Sequence, residues 1–229
     1  MTVTTLYWII FIGIAIASYA VSEALKSKFK KYAKEPLPLT GKEVAEKMLR
    51  DNDIYDVQVT CIKGQLTDHY NPATKTVNLS EDVFRGANVA AAAVAAHECG
   101  HAVQHSVAYG PLKMRSALVP VVSFSSQWVS WVLLAGLFLL GTRPGNMLLW
   151  TGIVLYGLMT LFSFITLPVE VDASRRAVNW LEGAGITNRE TSKMASDALH
   201  SAAYTYVVAA LSSLATLLYY ILIAMSDRR

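Results

Sequence analysis

The chain has 229 residues, 53% of them hydrophobic and 16% charged, with a formal net charge of +3. That balance belongs to a membrane protein and excludes an ordinary soluble domain, in which about a quarter of the residues are charged. So small a positive excess gives no case for a nucleic-acid partner.

The charges are unevenly placed. No Asp, Glu, Lys or Arg occurs in residues 1–22, 116–142, 144–169 or 198–226, and each gap can hold the ~20 apolar residues that cross a bilayer. Four transmembrane helices are expected, with cores near residues 5–21, 118–140, 147–167 and 205–225. No basic residue precedes the first of them, whereas Lys26, Lys28, Lys30, Lys31 and Lys34 follow it. It therefore reads as an uncleaved anchor and not as a signal peptide. The positive-inside rule places its N-terminus outside and the chain after it in the cytoplasm. Residues 26–38 are expected to form a linker; contact with anionic lipid is the other use of such a basic run.

Between the first two spans lie about eighty residues or slightly more, enough for a small domain. Thr40 followed by Glu43 is a capping box, and Val44, Ala45, Met48 and Leu49 recur at helical spacing, predicting a short helix that ends near Asp51. Val57, Val59 and Cys61 then alternate as in a strand. Residues 65–70 and 75–79 read as a hairpin joined by Asn71-Pro72-Ala73-Thr74, giving a small antiparallel sheet to which a substrate peptide could add a strand at residues 75–79. Ser80 is expected to cap a turn or short helix. Cys61 and Cys99, far apart in sequence and both on the inferred cytoplasmic side, are expected as reduced thiols with no disulfide.

The chain next reaches His97-Glu98-Cys99-Gly100-His101. Residues four apart on a helix lie about 40° apart in projection, so two imidazoles can grip one ion from a single rigid element. The spacing suits a tetrahedral zinc site, and Glu98 sits where it can act as general base on a water beside the ion. Residues 89–96 are strong helix formers that lead straight into the motif. His105 continues the stripe, but a rise of about 6 Å puts it too far along the axis to share the ion, so it reads as a satisfied helix-face histidine.

Two ligands leave a zinc site incomplete. A metzincin would carry Gly and His where this chain has Gln104 and Val107. An intramembrane metalloprotease of the site-2 type would supply an Asp from a Leu-Asp-Gly segment, which the chain lacks. What it has is Glu170, in Pro168-Val169-Glu170-Val171-Asp172 just after the third apolar segment. The second and third spans turn at Thr142-Arg143-Pro144-Gly145-Asn146, and two crossings return the chain to the face it left. Glu170 is thus the expected third ligand. Asp172 could serve there equally well, and either could instead be a first-turn carboxylate favoured by the helix dipole. A second linker is expected near residues 183–189. His69, His200, Tyr204 and Tyr206 are candidates for stabilising an oxyanion.

Residues 65–104, with Asp68-His69-Tyr70-Asn71-Pro72 and Ala95-Ala96-His97-Glu98-Cys99-Gly100-His101-Ala102-Val103-Gln104, together with residues 170–177, resemble the YugP-type bacterial membrane zinc metallopeptidases. More distantly they are similar to the membrane gluzincins of the HtpX and CAAX-processing group. The resemblance implies His97, His101 and Glu170 as ligands of Zn2+ and Glu98 as catalytic acid/base. In the wider group an Asp follows the ligand Glu by four residues and supports the site; here that position is Ser174.

The expectation is therefore a mainly α, multi-pass membrane protein with a small α+β, zincin-like cytoplasmic domain. It would comprise an anchor (1–22), a metallopeptidase domain with the HExxH helix (23–115), a transmembrane hairpin (116–169), cytoplasmic helices bearing the third ligand (170–204) and a last span (205–229). It would sit in a bacterial plasma membrane with its site facing the cytoplasm, acting on peptides or membrane proteins. The alternative is a non-proteolytic, zinc-stabilised membrane scaffold or adaptor. A transporter has little support, because no charged residue falls within a span to mark an ion path.

Overall fold

The computed structural model describes residues 3–226, and these are mostly helical with one small sheet. In chain order the elements are α1 (Val3–Tyr32), α2 (Gly41–Asp51), β1 (Gln58–Ile62), β2 (His69–Asn71), β3 (Thr76–Ser80), α3 (Glu81–Arg85), α4 (Val89–Ser106), α5 (Gly110–Phe138), α6 (Arg143–Gly183) and α7 (Arg189–Ser226). Four of these helices, α1, α5, α6 and α7, are long and apolar enough to cross a membrane.

The long helices run past the apolar segments. α6 has 41 residues, about 60 Å at 1.5 Å per residue, or twice the ~30 Å of a hydrocarbon core. Its polar continuation from Glu170 and the polar start of α7 are not separate helices. Pro168 sits inside α6 without ending it. The basic stretch expected as a linker is likewise helical as far as Tyr32, because Lys and Ala are good helix formers and no Gly or Pro interrupts before Pro36. Between α6 and α7 the expected break is present, with Gly185 at φ 68°.

The chain divides into two compact units. The first takes the described residues up to Ala20, then Lys113–Leu167, and those from Thr205 onward. Within it α5 and α6 pack at glycines: a Cβ on Gly136 would lie 2.7 Å from the Leu149 amide nitrogen, and one on Gly152 2.5 Å from Leu133 Cδ2. Small residues let apolar helices approach closely where no water drives them together. Val129, Leu133, Leu149 and Ile153 form the core there with Ile223 and Ala224 of α7, and a Thr160–Ser213 hydroxyl pair at 2.7 Å joins α6 to α7.

The second unit is Val21–Leu112 with Pro168–Tyr204. The Thr40–Glu43 capping box is present at the start of α2, a feature worth about 1 kcal/mol, and Val44, Ala45, Met48 and Leu49 form its buried face. Ser80 stands at the N-cap of α3 but makes no side-chain cap; its hydroxyl donates to Asp68 instead, at 3.0 and 3.1 Å. Asn88 caps α4 by accepting from the Ala91 N–H at 2.9 Å. The alanine-rich first half of α4 is buried throughout. It shares one core with Val77 and Leu79 of β3, Ala177 and Leu181 of α6, and Ala195, Ala198 and Leu199 of α7.

The sheet corrects the sequence reading. Its order is β1-β3-β2; β2 pairs antiparallel with β3, as the hairpin required, but β1 pairs parallel with β3, from Gln58↔Thr76 to Ile62↔Ser80. It is mixed, not antiparallel. Alternation in a sequence reveals a strand and its faces but not its neighbour; here β1 joins the edge of β3 that β2 leaves open. β3 is therefore the central strand, paired on both sides, so a peptide cannot add at residues 75–79.

Candidate metal centre

The site is built within the second unit from α4, the polar part of α6 and the edge strand β2. His97 and His101 stand one turn apart on α4, their rings 4.8 Å between centroids and nearly perpendicular. Glu170, 3% exposed, emerges from α6 beyond the apolar stretch, with Oε2 at 3.3 Å from His97 Nε2 and 3.6 Å from His101 Nε2. The three candidate ligand atoms all lie within 4.8 Å of one another.

A tetrahedral zinc with bonds of ~2.0–2.1 Å holds its ligand atoms about 3.3–3.4 Å apart along each edge. The two separations to Glu170 Oε2 are close to that value, and two imidazoles with one carboxylate are a donor set zinc favours. Burial opposes ionisation of Glu170, yet His101 and His97 outweigh it and hold the carboxyl well below the usual carboxylate range. Burial also disfavours the charged form of His101, but the Glu170 and Glu98 carboxylates more than compensate and raise its pKa. The pocket thus stabilises positive charge between buried carboxylates, as a cation site must.

Each histidine is held from behind, as metal-ligating histidines generally are. His97 Nδ1 is 3.1 Å from Ser174 Oγ, one turn after Glu170 on α6. His101 Nδ1 is 3.0 Å from Gln104 Oε1. Asp172, the other carboxylate weighed in the sequence, does not join the group. About 200° separates it from Glu170 on the helix, and it accepts from Gln104 Nε2 at 3.0 Å and from Arg175 and Arg176, each at 2.6 Å.

Glu98 follows His97 on α4 and is buried, and its Oε2 accepts the Tyr70 backbone N–H at 2.9 Å. Tyr70 lies in β2 opposite Val77 of β3, and its N–H points away from the sheet towards α4. One Glu98 oxygen is thereby fixed. His105 is partnered by the Tyr70 hydroxyl at 3.2 Å, the satisfied helix-face histidine that was expected.

The four residues considered for oxyanion stabilisation are spread out. His69 Nδ1 is 2.8 Å from the Thr67 carbonyl and its Nε2 is 3.3 Å from Asn78 Nδ2. His200 Nδ1 is 2.8 Å from the Ser196 carbonyl, and the residue lines a cavity of about 260 Å³ with Ser174 and Arg175. Tyr204 and Tyr206 are exposed on α7. Cys61 is free and exposed; Cys99 is free and buried, with its thiol pushed up in pKa by burial.

Sequence reasoning missed the supporting roles of Tyr70 and Gln104; position 174 it had marked, and Ser174 there meets His97. Gln104 carried a signal, as a polar residue one turn from His101 on the same helix. The Tyr70 contact runs through the backbone and left none.

Residues 7–225 match a protein family described as "Putative neutral zinc metallopeptidase". The chain is also similar to a Bacillus subtilis (strain 168) protein named "Putative membrane protease YugP", with 40% identity over 225 residues, 96% of this chain and 98% of the relative. No solved structure matches. A match over nearly the whole chain, on a fold whose clustered His97, His101 and Glu170 could hold the family's zinc, places this protein in that zinc metallopeptidase family.

Proposed function

We propose that this protein is a zinc-dependent endopeptidase of the bacterial plasma membrane that hydrolyses peptide bonds at the cytoplasmic face. The observation that carries the reading is the convergence of His97 Nε2, His101 Nε2 and Glu170 Oε2 on one small volume, with the buried Glu98 following the first of them on α4. In this reading His97, His101 and Glu170 are the ligands and Glu98 is the catalytic base.

A zinc ion in that volume supplies a Lewis acid that polarises the scissile carbonyl and acidifies water. Glu98, with one oxygen fixed by the Tyr70 N–H, takes a proton from the attacking water on its other oxygen. The water oxygen bonds to the carbonyl carbon. As the C–N bond breaks, Glu98 returns the proton to the leaving amine. Ser174 and Gln104 keep the imidazole rings aimed.

The cytoplasmic orientation rests on the five lysines between Lys26 and Lys34. Residues 23–115 and 170–204 then form the cytoplasmic catalytic part, and residues 1–22, 116–169 and 205–229 the membrane part. Peptides or membrane proteins close to the bilayer are the substrates.

The competing scaffold reading has no use for Glu98 beside the first ligand, and a structural site is normally closed by four protein ligands. The decisive experiment compares the wild type with Glu98→Gln, both as full-length protein in detergent and by mapping new protein termini in cell membranes. Zinc retained with cleavage lost supports the enzyme; cleavage at the full wild-type rate by Glu98→Gln refutes the mechanism.

A further inference from the structure

Gln104 is fully buried, and its amide is spent entirely within the protein. Its Nε2 lies 2.7 Å from the Val169 carbonyl oxygen and 3.0 Å from Asp172 Oδ2; its Oε1 lies 3.0 Å from His101 Nδ1. A carbonyl oxygen and a carboxylate can only accept, so the –NH2 must face them and the amide has one allowed orientation. Gln104 Oε1 is then an acceptor, and His101 Nδ1 must carry the proton. The lone pair of the neutral ring is left on Nε2, the atom that faces Glu170.

At His97 no such fixing exists. Its partner, the Ser174 hydroxyl, can donate or accept, so the geometry leaves that tautomer open.

Asp172 stands at the far end of the chain of bonds. It is 4% exposed and held by the guanidinium groups of Arg175 and Arg176. A carboxylate accepting from one end of an amide pulls electron density towards the other, making the amide oxygen a stronger acceptor. The negative charge of Asp172 thus reaches His101 at one remove. Val169, whose carbonyl takes the second amide hydrogen, is the residue before Glu170. The same side chain therefore ties α4 to α6 at the point where the third candidate ligand leaves its helix.

We propose that Gln104 is a positioning residue for the metal centre, relaying Asp172 to His101 so that Nε2 is presented as a ligand, and locking Val169-Glu170 against α4. Asp172, weighed in the sequence as a ligand, works through Gln104. The inference rests on His97, His101 and Glu170 as the zinc ligands.

The test is the affinity of full-length protein in detergent for Zn2+, read by chelator competition, with the visible absorption of the Co2+-substituted protein as a signature of ligand geometry. Gln104→Leu, similar in volume and unable to accept from His101, should bind zinc about 10- to 100-fold more weakly, with an altered Co2+ spectrum. Gln104→Glu alone sets a second carboxylate against Asp172 and should do no better. Combining Gln104→Glu with Asp172→Asn reverses the polarity of the Asp172 link while keeping an acceptor at His101; because the bond to the Val169 carbonyl is lost in both variants, the pair should bind zinc at least about 10-fold more tightly than Gln104→Glu alone and move the Co2+ spectrum back towards the wild type. That rescue is beyond a merely space-filling role, and it decides the matter even if Gln104→Leu does not fold. Wild-type affinity and spectrum in Gln104→Leu, or no rescue by the pair, overturns the inference while leaving the proposed function intact. A wild-type protein that binds no zinc overturns both.

Discussion

Gly100 and Ala173 bring the two halves of the metal centre together: a Cβ on Gly100 would lie 2.7 Å from the Ala173 carbonyl oxygen and 3.1 Å from its Cα. Gly100 occupies the turn of α4 between the two histidines, and Ala173 follows Glu170 by less than one turn of α6. The backbone of α6 therefore rests directly on the motif helix. That close approach sets the 3.3 and 3.6 Å separations between Glu170 and the imidazoles.

Gly100→Ala should accordingly destabilise the site despite its local advantage. Alanine gains about 1 kcal/mol over glycine in a helix interior, but overpacking a tight contact costs about 1–3 kcal/mol, and the clash is with backbone that cannot rotate away. The expected result is a lower melting temperature in detergent and a substantial fall in bound zinc. A variant that melts higher and keeps one zinc per chain would show that α6 shifts without cost to the site.

Much of the fold was legible in the sequence because its determinants are local. The Thr40–Glu43 cap, the helical stripe from Val44 to Leu49 and the Asn71–Thr74 turn each advertise themselves within a dozen residues, and the four apolar segments within about twenty. The parallel pairing of β1 with β3 did not, since Val57, Val59 and Cys61 define a strand without naming its neighbour. The continuity of α6 and α7 beyond the apolar segments was hidden for another reason: hydropathy marks where the side chains change character, and the backbone hydrogen bonds carry on regardless. At the site, the histidine spacing was visible, as was a carboxylate near residue 170. The Tyr70 N–H on Glu98 and the closeness of Gly100 to Ala173 are backbone relationships between distant segments, invisible until the chain is folded.

The Tyr70 contact can be isolated because β2 is an edge strand. Its N–H points out to Glu98 and takes no part in the ladder with β3, so proline at that position removes this one bond while leaving the pairing in place. Tyr70→Ala controls for loss of the ring and Tyr70→Phe for loss of the hydroxyl to His105. A hydrogen bond to a charged acceptor is worth about 1.5–3 kcal/mol, so kcat/KM should fall about 10- to 100-fold further in Tyr70→Pro than in Tyr70→Ala, with zinc content equal in the two. Equal rates would mean that Glu98 needs no orienting bond.

Glu170 and Asp172 differ in what their loss removes. Glu170→Ala takes away one of three candidate ligands and leaves two imidazoles, too few to retain zinc through purification. Asp172→Asn keeps an oxygen to accept from Gln104 but sets its amide nitrogen against the Arg175 guanidinium, so the protein should be less stable yet still carry about one zinc at micromolar metal, while giving it up faster to a chelator. Zinc analysis of the purified variants reads this directly. Loss of metal with Asp172→Asn but not with Glu170→Ala would reverse the assignment.

The orientation of the site in the membrane can be read from a cysteine the chain already has. Cys61 is exposed on β1, whereas Cys99 is buried with its thiol pushed towards the unreactive protonated form. Only Cys61 should react with a thiol reagent in the native protein. If the lysines after the first span hold the second unit in the cytoplasm, a membrane-impermeant maleimide will not label intact cells and will label Cys61 once they are permeabilised. A new cysteine at Asn146, in the first turn of α6 beyond the hairpin bend, should label in intact cells because one crossing separates it from the cytoplasmic face. Placed at Asn188 between α6 and α7, it should behave like Cys61. Labelling of Cys61 in intact cells together with protection of Asn146→Cys would invert the topology and move the proposed peptidase outside. Labelling of both in intact cells would mean that the α5–α6 hairpin does not cross the membrane twice, and would overturn the cytoplasmic placement of Glu170.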